Sequence, residues 1–431
     1  MRFTTILLLA GLGAMGCNPS DFNTILDKAP VQELGTPGAS TGSLFVLPLP
    51  APDAASGVAA RMLVSRKDTN YLALADYDMN GKATLHDAND VETALGFPVY
   101  SSAARLDGTI VLGSPSSPGG TTPNGKVTTL SIGNKADGSP AFGILSSIQG
   151  DGHMGISVAA GFITGLPTGD FVAVSDYSVR LVGTDPNQPQ IAATADTCQV
   201  LPKGNAYDFR PVVVADVLAG AHDEIVLGGQ VAGQGQVVFV QYNGTAVLPC
   251  PTRALSLGTS VSFGTSLAAG DFDGDGQMDL AVGTPPNHVY VYFGPLDAAS
   301  TYDVDITAAE ATQFGKQIAT YQVPGQTTAQ LMVADPAAPS PGGVGEVMLF
   351  NVSRSTPTIK SSEAVATLFD SNKDSDPGLF GLNLGGVQFN TGLCNPGGPV
   401  QLVPWASLGP NLFTFFAYSG PSAQPDPRCF K

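Results

Sequence analysis

A chain of 431 residues of which 43% are apolar can bury one large core or two ordinary ones, which excludes a disordered protein. Only 13% of the residues are charged, while 52 glycines and 34 prolines punctuate the chain, a composition that favours short strands and tight turns over long helices, so the fold reads as all-β. The net charge of −17 would repel a phosphate backbone and argues against a nucleic-acid partner, and beyond the N-terminus no apolar run approaches the roughly 18 residues of a spanning helix.

The chain begins MRFTTILLLAGLGAMGC: one cation at Arg2, an apolar segment from Ile6 to about Ala14, then small residues and Cys17. That is the layout of a secretory signal. The tetrapeptide AMGC resembles a bacterial lipobox, which implies cleavage before Cys17 and lipidation of that cysteine, with secretion as the outcome if the lipobox is not used. Asn18 after the cysteine favours the outer membrane over the inner. Residues 18–42 are polar and rich in Pro and Gly, as a flexible tether would be. The stretch SLFVLPL (43–49) opens the expected folded domain, 43–431, and is a candidate to close a ring by completing the last repeat near 411–419.

Within that domain a short apolar strand recurs at 62–65, 110–114, 171–175, 225–229, 280–284, 331–335 and 400–404, with centres 49 to 69 residues apart. Each is followed by a hairpin partner rich in β-branched and aromatic residues, at 71–76, 125–132, 178–182, 235–242, 288–294, 345–352 and 411–419. The period leaves room for about four strands per repeat. One four-stranded sheet cannot bury both faces alone, so such repeats are expected to stack radially into a propeller.

Two further elements mark the repeat. An FG pair or a near version precedes the next unit at Phe97 (as GF), Phe263-Gly264, Phe314-Gly315 and Phe380-Gly381. Between 268 and 285 the sequence AAGDFDGDGQMDLAVGTP sets Asp271, Asp273, Asp275 and Asp279 at the mouth of a strand. The FG pair, the DxDGDGxxD loop and a strand like LAVG together resemble the FG-GAP repeats of the integrin α-subunit N-terminal domain. That resemblance spans about residues 55–420 and implies a seven-bladed β-propeller of four-stranded antiparallel blades that binds a protein or glycan ligand.

Four carboxylates in one tight loop repel each other unless a cation holds them. Calcium takes six to eight oxygens, and the expected ligands are the side chains of Asp271, Asp273, Asp275 and Asp279 with the backbone carbonyl of Gln277, while Gly274 and Gly276 permit the bend. The sister loops have lost most of this set: 215–229 keeps Asp216 and Glu224, 161–175 keeps Asp170, and 321–335 keeps none. A second acidic run carries Asp76, Asp78 and Asn80 at ligand-like spacing, but Asn80-Gly81 is equally the turn of a hairpin. Cys198, Cys250, Cys394 and Cys429 form an even set suited to an oxidising compartment; of three connectivities, Cys198–Cys250 and Cys394–Cys429 join the nearest repeats. The four histidines, His86, His153, His222 and His288, sit in turn or strand contexts, and no GxSxG, HExxH or Walker sequence occurs. The chain therefore reads as a calcium-binding adhesion or ligand-binding module of the bacterial cell surface without catalysis, against the alternatives of a structural envelope component or a carbohydrate-active enzyme.

Overall fold

The β-branched and aromatic runs become strands wherever Gly, Asn or Pro can supply the turns between them. The structure, a computed structural model, describes residues 31–33, 44–49 and most of 57–415; the larger stretches within that span outside the description are 116–123, 183–210, 243–252, 370–379 and 391–399. Strand β1 (Val31–Glu33) precedes a first sheet of β2 (Leu44–Leu49), β3 (Ala60–Arg66), β4 (Leu72–Tyr77) and β5 (Ala83–Asp87). The second sheet holds β6 (Ser101–Ala104), β7 (Ile110–Ser114), β8 (Asn124–Asn134) and β9 (Pro140–Asp151), and the third β10 (Ser157–Gly161), β11 (Asp170–Val174) and β12 (Val179–Val182). The fourth comprises β13 (Val212–Ala215), β14 (Glu224–Val231), β15 (Gln234–Val240) and β16 (Arg253–Ser256); the fifth, β17 (Ser266–Gly270), β18 (Asp279–Thr284), β19 (His288–Tyr292) and β20 (Val304–Thr307). β21 (Gln317–Gln322), β22 (Ala329–Ser340) and β23 (Gly343–Phe350) begin the sixth sheet. The chain then crosses back so that β24 (Thr358–Lys360) pairs parallel with β20, before β25 (Ala366–Leu368) completes the sixth. The last sheet is β26 (Leu384–Asn390), β27 (Val400–Ser407) and β28 (Leu412–Phe415), with β1 on its outer edge.

The first strands of successive sheets, β2, β6, β10, β13, β17, β21 and β26, lie side by side, and β26 returns to β2, so the ring closes. All pairings within the sheets are antiparallel except β20 with β24. Every apolar strand singled out in the sequence is the second strand of a sheet, and each expected hairpin partner contributes the third. The expectation of seven four-stranded blades is corrected to six: five sheets have four strands, and the fifth in chain order adds β24 to its four. The sheet β10–β12 has three strands among the described residues, because the chain between β12 and β13, where a fourth would arise, lies outside them.

Ring closure also differs from expectation. Residues 44–49 are the inner strand of the first sheet, paired with β3 from Leu44↔Arg66 to Leu49↔Arg61, and do not complete the last. Val31–Glu33, placed within the tether by its polar surroundings, makes that closure by pairing Val31↔Thr414 and Glu33↔Leu412. β2 is too apolar for an outer edge: Val46 and Leu49 are buried, and Leu49 packs with Leu63, Leu74 and Leu112.

Second strands are buried on both faces, which is why they read as unbroken apolar runs. In β18, Leu280 and Val282 pack with Val226, Val237 and Phe239 of the fourth sheet, while Ala281 packs with Leu331, Val333 and Phe350 of the sixth. The side-chain period of two divides one strand between two cores. Each such Leu or Val, fully removed from water, contributes about 1.5–3 kcal/mol.

The junction between neighbouring sheets explains the FG pair and the strand glycine together. Gly264, Gly315 and Gly381 take φ of +85°, +81° and +70°, so a left-handed turn follows each buried Phe. The turn carbonyl then meets the previous sheet: a Cβ on Gly283 would lie 2.4 Å from the Gly315 carbonyl oxygen, and one on Gly228 would lie 2.2 Å from that of Gly264. Ser266 of β17 donates its hydroxyl to the Gly315 carbonyl at 2.8 Å. The same contact joins Ser101 to Gly155 at 2.8 Å, with Gly155 at φ +87° behind the buried Met154. Met154-Gly155 is thus an FG turn in all but its first residue, and a search for Phe passes over it. Phe97 lies outside the described residues.

Candidate metal centre

The acidic loop joins β17 to β18 at one end of the fifth sheet. Gly274 and Gly276 both adopt φ of +86°, and these two left-handed residues fold the loop back on its own carboxylates. The Asp271 carboxylate accepts the N–H groups of Gly274 (2.7 Å) and Gly276 (3.0 Å), one on each oxygen. Asp273 Oδ1 accepts from Asp275 N (3.1 Å), and Asp275 Oδ1 from Gln277 N (2.8 Å). Asp271, Asp273 and Asp275 each offer an oxygen within 4.8 Å of the others. Three hard, anionic oxygens at that separation suit a divalent cation such as calcium. The loop also rests on the sixth sheet, where Ala329 N donates to the Asp271 carbonyl at 2.7 Å.

Asp279 occupies a different place from the other three. It is fully buried at the start of β18, where Oδ2 accepts Phe272 N (2.8 Å) and Oδ1 accepts Gly294 N (2.9 Å). It thereby fastens both ends of the loop. Burial pushes its carboxyl up to about 7, against the two N–H groups, which lower it; the charges of Asp273 and Asp275 add to the rise. The equivalent acids do the same work where the loop aspartates are gone. Asp170 accepts Thr164 N and its hydroxyl, and Glu224 accepts Val217 N and Leu218 N on one oxygen and the Gln241 amide on the other. This position caps the loop in three successive sheets, whatever the loop contains.

A residue far away in sequence completes the site. Arg354, on the segment that crosses from the sixth sheet to the fifth, donates Nε to Asp273 Oδ2 and Nη2 to Asp275 Oδ2, the latter at 2.8 Å. Its Nη2 also reaches the Gly294 carbonyl at 3.3 Å, and the guanidinium lies 4.7 Å above the Phe293 ring. A cation therefore already sits on the carboxylate cluster. Nothing in the loop's own sequence announces it, because the partner lies about 80 residues downstream.

The second acidic run is placed otherwise. Asp76 is buried on β4, takes Arg61 in a two-bond pair at 2.7 and 2.8 Å, and has His86 Nε2 at 3.3 Å. β4 and β5 form a hairpin in which Tyr77 faces Ala83, with Asp78 and Asn80 outside the described residues. Cys17, Cys198, Cys250, Cys394 and Cys429 also lie outside them. His153 pairs with Asp176 and His288 with Asp305, while His222 meets the Tyr242 ring edge-on.

Antiparallel sheets repeated around a closed ring, with FG-type turns at the junctions that Gly155, Gly264, Gly315 and Gly381 make, define a β-propeller protein. Residues 263–292, which span the FG turn, the acidic loop, β18 and β19, match the family model described as FG-GAP repeat, so the fifth sheet carries a repeat of that type. No curated protein matches the chain. A solved Dos1 propeller matches at 11% identity over 84% of this chain and 76% of its own, with a TM-score of 0.41. The propeller assignment rests on the strand pairings above and not on that likeness.

Proposed function

We propose that this FG-GAP propeller is a calcium-binding adhesion or ligand-binding module, with the 271–279 loop as its cation site and blade-connecting loops as its recognition surface. The observation that carries the reading is the convergence of Asp271, Asp273 and Asp275 on a loop pinned at both ends by Asp279. Asp271, Asp273 and Asp275, with the Gln277 carbonyl, would hold calcium, whose charge would offset that of the carboxylates and keep the loop in one shape. Rigid strands with variable connecting loops are a common platform for recognition, but a fold by itself assigns no ligand. A protein or glycan at the cell surface is the partner class we assign. Lipidation at Cys17 would place the domain on the bacterial envelope, at the outer membrane.

A screen of the full chain against envelope glycans and proteins, with calcium and with chelator, tests the proposal. Specific binding that weakens on chelation is the expected result. Turnover of a polysaccharide would favour a carbohydrate-active enzyme, and an absence of both binding and turnover would favour a structural envelope component.

A further inference from the structure

We propose that Arg354 is a built-in counter-ion of the acidic loop which calcium must displace, so that cation loading and docking of the 353–356 turn oppose each other. The proposal rests on the reading of this loop as a calcium site. All six oxygens of Asp271, Asp273 and Asp275 are engaged: four accept N–H groups of the loop itself, and the two that remain, Asp273 Oδ2 and Asp275 Oδ2, are held by Arg354. The two kinds of partner differ in consequence. An amide N–H is neutral, and the oxygen that accepts it keeps a lone pair for a metal, whereas the guanidinium is a full positive charge lodged on two of the three carboxylates. Calcium drawing on both carboxylates would face that charge at contact distance, and one cation has to leave.

The arm is built to yield locally. Beyond Arg354, β24 is fastened to the fifth sheet by the pairings Asp305↔Thr358 and Thr307↔Lys360, and Asp305 N donates to the Pro357 carbonyl at 3.0 Å. Before it, Val352 is buried in the core between the fifth and sixth sheets, and Asn351 accepts the Gln330 amide at 2.7 Å. Only the turn between these points, closed by Thr356 N on the Ser353 carbonyl, is free to move when the guanidinium is released. The Arg354 side chain is half exposed, so water can take over its charge. Calcium would then report its presence on the outer edge of the fifth and sixth sheets, through loosening of residues 353–356, while the acidic loop tightens.

The test is calorimetric titration of calcium chloride into the full chain and its Arg354→Gln and Arg354→Lys variants, with hydrogen exchange followed over residues 353–356. The proposal expects Arg354→Gln to bind calcium about tenfold more tightly than wild type, with Arg354→Lys in between. It also expects exchange over 353–356 to rise on calcium addition in the wild type and to be high in Arg354→Gln with or without calcium. Equal affinity in wild type and Arg354→Gln, or weaker binding by the latter, overturns the counter-ion role and leaves the calcium reading standing. No binding by any of the three chains overturns the calcium reading, and the displacement proposal with it.

Discussion

Asp273 and Asp279 sit six residues apart in one loop and are held in opposite ways. Asp273 faces outward to Arg354, whereas Asp279 has no exposure and satisfies two buried N–H groups. Removing Asp279 strands those donors, so Asp279→Ala should cost about 2–4 kcal/mol in calcium and in chelator alike, measured by denaturant unfolding. Asp273→Ala should cost less, about 1–2 kcal/mol in chelator, because it breaks the pair with the half-exposed Arg354 and the hydrogen bond from Asp275 N. A different acid, Glu346, carries a pH dependence. It faces Asp335 directly across β22 and β23, and burial, then the Asp335 charge, raises its pKa. An acid whose folded pKa lies above its unfolded value costs stability when ionised, and that cost disappears as pH falls below the unfolded value. Glu346→Gln should therefore raise the melting temperature near pH 8, and the gain should vanish near pH 4, where the unfolded carboxyl of about 4.3 is protonated. A gain that persists at pH 4 would point to packing instead.

At the scale of the element, the sheet-to-sheet junction is the unit that repeats, and it depends on the absence of side chains. A methyl group on Gly283 would enter the Gly315 carbonyl, so Gly283→Ala should destabilise by about 1–3 kcal/mol, while Gly133→Ala, whose Cβ meets nothing within 4 Å, should be near neutral. Chemical denaturation of the two variants side by side checks this. The junction also shows what the sequence makes legible. Second strands stand out because burial on both faces keeps their central residues apolar, as in Leu280–Val282 and Ile225–Leu227, and the acidic loop stands out because its charge is local. Met154-Gly155 escapes notice because the pocket asks for a large apolar side chain followed by a left-handed glycine, and Met fills it as well as Phe. Arg354 escapes because the contact is made by a crossover between sheets, a tertiary event that no local pattern records. Asp279 is readable as an acid but not as a cap: its role emerges only beside Asp170 and Glu224, which keep their backbone N–H partners after the other loop acids are lost.

On the scale of the whole molecule, the ring is closed by three residues from a segment whose composition suggests a tether. Pairing of Val31–Glu33 with β28 ties the N-terminal segment to the last sheet, so a chain starting after Glu33 should melt at a lower temperature than one starting at residue 18. The most direct measurement of the central claim is thermal unfolding of the full chain in calcium and in EDTA, with Asp273→Ala run beside it. The wild type should melt at a higher temperature in calcium than in EDTA, and the variant should melt alike in both. A wild-type curve that EDTA leaves unmoved would contradict the assignment of the 271–279 loop as a calcium site.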